Sequence, residues 1–169
     1  MLATLSQDLS QPEYIHVLIN PLPVYGLLVA TIGLVIALIQ RSRRAQVATL
    51  ALVLLSAAMA WPVVHFGEVA YDRVLSLTNA EGAAWLKVHM HRADQFVWFF
   101  YALAVVAAVA IFAPIRWPKS ATILAIVTLL FACVVLAMGS YIGYAGGRIR
   151  HREFRNEPAP PVPVEQDDS

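Results

Sequence analysis

The chain has 169 residues, 59% of them hydrophobic and 14% charged, with 12 Lys or Arg against 11 Asp or Glu and a formal charge of +1. Soluble domains run near about 45–50% apolar and about 25% charged, so this composition excludes a disordered chain, a basic nucleic-acid-binding domain and a polar secreted module. A lone cysteine, Cys133, excludes an internal disulfide and any CxxC or CxxCH site.

Residues 1–21 read as an N-terminal interfacial segment. They lack a basic n-region and carry Asp8 and Glu13, so no signal peptide is expected. Ser10-Gln11-Pro12-Glu13 reads as a capping box with Pro12 in the first turn. A short helix through Ile19 follows, with Tyr14, Ile15, Val17 and Leu18 suited to the membrane interface. Asn20-Pro21 is predicted to break it.

Four apolar stretches then have the length of bilayer spans, about 20 residues each: 22–40, 47–66, 96–115 and 121–144. A domain this small has too little interior to hide four helices that are apolar all round. The predicted fold is all-α, a four-helix transmembrane bundle over residues 22–147. Pro62 cannot donate to the Ala58 carbonyl, which predicts a kink in span two. The kink either aims His65 inward or is a proline of the kind membrane helices tolerate. Span two has no breaker after Gly67 and is expected to continue through Glu68, Tyr71 and Asp72. Thr78-Asn79-Ala80-Glu81 reads as a second capping box, so a helix should start near Asn79 and run into span three. These extensions would form an antiparallel hairpin that sets His65 level with His91. Trp61 and Trp98 at one interface and Trp117 at the other suit an aromatic belt. Residues 148–169 are basic, then Pro-rich, then acidic, and are expected to be a disordered tail of polyproline character.

Charge divides the two faces of the bundle. The face with the two short loops holds Arg41, Arg43, Arg44, Arg116 and Lys119 and no acid, a charge of +5. The face with both termini holds all eleven acids and seven Lys or Arg, a charge of −4. Basic residues near span ends stay in the cytoplasm, so N-out and C-out are expected, with the termini face periplasmic in a bacterial inner membrane. Arg148, Arg150, Arg152 and Arg155 dissent.

All five histidines, His16, His65, His89, His91 and His151, fall on the termini face. Imidazoles from facing helices hold cofactors in bundles, and carboxylates support them. The alternative is a set of interfacial histidines bonded to carboxylates and headgroups. A haem b would take two axial imidazoles from different helices: His16 with His89 or His91, or His65 with one of them. A non-haem centre for zinc, copper or iron would use His65, Glu68, Asp72, His91 and Asp94. His151 lies too far along the chain to join. Gly139, Gly143 and Gly147 form a small-residue ridge suited to helix packing, or to admitting a porphyrin.

The run His16-Val17-Leu18-Ile19-Asn20-Pro21-Leu22-Pro23-Val24-Tyr25-Gly26-Leu27, the step Gly67-Glu68-Val69-Ala70 and the step His89-Met90-His91-Arg92-Ala93 resemble small bacterial four-helix membrane proteins grouped as "domain of unknown function 2231". The resemblance covers roughly residues 14–147. Met90 stands where that group has an acid, and Pro21 where it often has a second His. The resemblance implies a four-helix fold in a bacterial inner membrane. Some relatives are joined to Rieske-type or cytochrome modules, which implies redox chemistry.

Three functions follow: a redox or haem-binding subunit serving electron transfer with a redox partner protein or a quinol, a non-haem metal protein, or a non-catalytic accessory subunit in a homo-oligomer or larger complex. GxSxG, P-loop, GxGxxG and HExxH patterns are absent. The span centres carry no ionisable residue, which disfavours an ion-coupled transporter.

Overall fold

The computed structural model describes residue 7 and residues 9–162, and among these no strand occurs. Six α-helices follow in order: α1 (Pro12–Ile19), α2 (Leu27–Ile39), α3 (Arg43–Ala58), α4 (Ala60–Ser76), α5 (Ala80–Arg116) and α6 (Ala121–Arg150). They join into four helices long and apolar enough to cross a bilayer: Pro12–Ile39, Arg43–Ser76, Ala80–Arg116 and Pro118–Arg150. The turns at 40–42 and 117–120 lie at one end, the basic end. The turn at 77–79 lies at the other with the described termini, and this is the rim.

The expected break at Asn20-Pro21 does not occur. Asn20 stays right-handed (φ −53°, ψ −34°), and a π-helical turn, Leu22–Gly26, carries α1 into α2. Pro21 and Pro23 bring no N–H, and a wider turn tolerates the missing donors that would disrupt an α-helix. The first capping box does not form either. Gln11 is the N-cap without a side-chain bond, Ser10 Oγ donates to Gln7 O at 2.6 Å, and Glu13 reaches Arg73 Nε at 2.7 Å. The second helix start is as expected, but Asn79 caps it, its Oδ1 accepting from Gly82 N at 3.1 Å.

Span two is interrupted at Met59, which separates α3 from α4 three residues before Pro62. Pro62 has no N–H to give the Ala58 carbonyl at this break. On the basic side of it, α3 packs closely on α5; beyond it, α4 packs mainly on α1 and only lightly on α5. The predicted hairpin between the extensions of spans two and three is therefore splayed, because α1 offers α4 an alternative partner. α5 and α6 form the most extensive pair, and α2 completes the ring between α3 and α6.

The central core is built from Leu27, Ala30, Val53, Ala57, Val97, Phe100, Leu103, Ala107, Ala132 and Val135. Leu34, Leu50, Ala110 and Ala125 continue it toward the basic end. There Pro114 lies inside α5 and leaves the Ala110 carbonyl without its helical donor. Arg43 Nη2 fills the gap, donating to Ala110 O and Ile111 O at 3.1 Å each.

The tail departs from expectation as far as residue 162. Ala159 and Val162 pack on Trp85, Val88 and Ala145. Arg155, its side chain only 6% exposed, donates to Arg148 O and Ile149 O at 2.7 Å each and to Asn79 Oδ1 at 3.1 Å, with Glu81 Oε2 at 3.3 Å. Those two carbonyls end α6 and lack helical donors, so a guanidinium that satisfies both anchors the strap. Residues 163–169 lie outside the described residues.

Candidate cofactor site

The splay of α4 opens a cavity of about 520 Å³ toward the rim, between α1, the π turn, α4, α5 and α6. Its walls are mostly apolar, among them Val24, Leu28, Val63, Val97, Phe100 and Leu136. The polar groups are few: His16, Asn20, Tyr25, His89, Asp94 and Ser140. That volume and that balance suit a ligand pocket, which typically spans about 300–1,000 Å³ with a small number of oriented polar groups.

His16 and His89 reach the cavity from different helices and are held in the same way. His16 Nδ1 lies 2.8 Å from Val63 O on α4, and His89 Nδ1 lies 3.1 Å from Ile142 O on α6. A carbonyl only accepts, so in each neutral ring Nδ1 carries the proton and Nε2 keeps the lone pair. Both carbonyls also belong to helices, and a side chain at the position four residues on would stand beside the approach. That position is a glycine in both cases. A Cβ on Gly67 would come within 2.9 Å of His16 Cε1, and one on Gly146 within 3.1 Å of His89 Cε1. His89 is 9% exposed.

The other expected site residues stand apart. His65 is exposed and stacks on Trp61 at 5.8 Å, so the kink does not aim it inward. Glu68 and Asp72 are exposed, His91 is half-buried, and none of these four lines the cavity. Asp94 does. Among the described residues, no group of three or more His, Cys, Asp or Glu is placed to hold a metal ion. The expected centre of His65, Glu68, Asp72, His91 and Asp94 is therefore not assembled, because it relied on α4 facing α5. His151 lies beyond α6, bonded to Glu153 Oε1 at 2.8 Å and stacked on Phe154. The backbone N–H of Glu153, and then the bond from His151, hold the Glu153 carboxyl below the usual carboxylate range.

The glycine ridge divides in two. A Cβ on Gly139 would meet Phe100 Cζ and Val24 Cγ2 at 3.0 Å, a packing role. A Cβ on Gly143 would meet nothing within 4 Å, and Gly143 lines the cavity. Sequence reasoning missed Gly146 altogether. The signal was a glycine four residues after a carbonyl that a histidine could reach. Comparison of the chain with protein-family models, curated proteins and solved structures finds no match.

Proposed function

We propose that the protein is a haem b-binding subunit of the bacterial inner membrane serving electron transfer, and that His16 and His89 are the residues that would hold the haem. The observation that carries this reading is the duplicated setting of the two imidazoles around one apolar cavity. Each Nδ1 is fixed as a donor to a helix carbonyl, the arrangement by which metal-bound histidines are commonly oriented. The open wall at Gly143 gives a flat group room that a side chain would take. Bis-imidazole haem supplies a one-electron carrier when bound. The chain's part is to hold two rings from separate helices, to keep Nε2 unprotonated, and to limit water with the surrounding apolar side chains. His16, Gly67 and His89 are also among the residues in which the chain resembles the "domain of unknown function 2231" group. With the termini face periplasmic, as the charge asymmetry argues, a periplasmic donor or a quinol would meet the site at the rim.

The test is a reduced-minus-oxidised spectrum of the full chain, expressed with added haem and purified in detergent. A six-coordinate b-type signal is expected in the wild type. It should be lost in His16→Ala and in His89→Ala, with helical content unchanged. His65→Ala/His91→Ala and His151→Ala should keep it. Absence of bound haem in the wild type would remove this reading and leave the accessory-subunit one.

A further inference from the structure

At the basic end, 20 Å or more of helix from the rim by a rise of about 1.5 Å per residue, a second feature is not explained by the cofactor site. Arg43 uses Nη2 to satisfy the carbonyls around Pro114. Its other terminal nitrogen, Nη1, is buried and has no hydrogen-bond partner among the described residues. A buried charged donor without an acceptor is costly. Along the sequence no Asp or Glu occurs between residues 14 and 67 or between 95 and 152, the segments that contain Arg43 and Pro114. Beside Arg43 runs a groove of about 280 Å³ between α3 and α5, walled by Val47, Ile111, Phe112, Pro114 and Ile115. Phe112 is 62% and Ile115 79% exposed. Arg41, Arg44, Arg116 and Lys119 stand exposed at the same end.

We propose that this groove binds one anionic phospholipid, its headgroup phosphate drawing the Arg43 guanidinium toward the groove so that Nη1 can donate to it, and its acyl chain lying along Val47, Ile111, Phe112 and Ile115. The ligand must carry anionic oxygen at one end, because only that answers a cationic donor among cations. It must carry a hydrocarbon beyond it, because the rest of the groove is apolar. Phospholipids combine both at this depth if the four helices cross the bilayer, and basic pockets between membrane helices are recognised headgroup sites. The proposal rests on the spanning arrangement and is independent of haem.

The full chain would be placed in nanodiscs of phosphatidylcholine with phosphatidylglycerol, then released into detergent, and its retained lipid counted by native mass spectrometry. Wild type should retain one phosphatidylglycerol at least about tenfold over phosphatidylcholine. Arg43→Gln should lose that preference. Because Arg43→Gln also uncaps the Ala110 carbonyl, Val47→Phe provides a second arm: it fills the groove and leaves every cation in place. It too should lose the bound lipid, with an unchanged helical spectrum. Equal retention of the two lipids by wild type would mean that water alone satisfies Nη1, and would overturn the proposal. So would full phosphatidylglycerol retention in Val47→Phe, which would mark diffuse attraction to the basic end.

Discussion

At His16 and His89 one small device is used twice: a ring nitrogen donates to a helix carbonyl, and a glycine one turn on clears the approach. The device separates stability from binding. Alanine is favoured over glycine in a helix interior by roughly 1 kcal/mol, so Gly67→Ala should leave the melting temperature unchanged or raise it. The same methyl would stand 2.9 Å from His16 Cε1 and push the ring off the Val63 carbonyl. We expect haem affinity to fall about tenfold, roughly 1.4 kcal/mol, measured by titration. Gly146→Ala should act in the same direction and more weakly, its contact being 3.1 Å. Gly82 behaves in the opposite sense. A Cβ there would meet the Ile149 carbonyl at 2.6 Å, main chain that does not yield cheaply. Gly82→Ala should therefore destabilise the rim by about 1–3 kcal/mol, as overpacking does, read by thermal melts. The one-sided placement of the histidines was legible in the sequence. Which of them share a centre was not, because equal distance from a turn identifies neighbours only if the two helices stay packed beyond it.

The spans were legible because length and continuous apolarity dictate them whatever the tertiary arrangement. Prolines were harder to read, since their effect depends on what else can serve the backbone. Pro21 was expected to stop a helix and is absorbed by a π turn. Pro114 leaves a carbonyl that Arg43, 71 positions earlier in the chain, supplies with a donor. Pro62 was expected to kink span two, with His65 aimed inward as one outcome; the helix is interrupted at Met59, and His65 stays exposed. A direct consequence is that Pro62→Ala should straighten the helix, restore a donor to Ala58, and bring α4 back toward α5. Haem binding should fall sharply while thermal stability holds or rises, since an interior proline costs a helix about 3 kcal/mol. Retention of haem in Pro62→Ala at wild-type affinity would show that the cavity does not depend on the break at Met59. Gly143→Leu probes the same space from α6. With nothing within 4 Å of its Cβ position, the leucine should occupy the cavity, abolish binding and leave the bundle folded. A loss of stability comparable to that of an overpacked core would instead restore the packing role expected of the whole ridge.

For the molecule as a whole, orientation in the membrane turns on how its cations are used. The charge asymmetry argues for the basic end in the cytoplasm, and the arginines after span four argue against it. The structure reduces the weight of that dissent. Arg155 is almost wholly covered and spends its donors on the end of α6 and on Asn79 and Glu81. Arg148 lies 3.4 Å over the Tyr144 ring and 5.2 Å over that of Trp85. Two of the four dissenting cations are thus engaged within the fold, whereas Arg41, Arg44, Arg116 and Lys119 are exposed. The turn at 40–42 and the one at 117–120 should then face the cytoplasm, and the strap with the rim cavity the periplasm. In a Cys133→Ser background, single cysteines placed at Ser42 and Lys119 should resist a membrane-impermeant maleimide in intact cells and react after permeabilisation. A cysteine at Glu157, exposed on the strap, should react in both. The reverse pattern, with the two turns labelled in intact cells and Glu157 protected, would invert the protein in the membrane. It would also carry His16 and His89 to the cytoplasmic side, where a periplasmic electron donor cannot reach them.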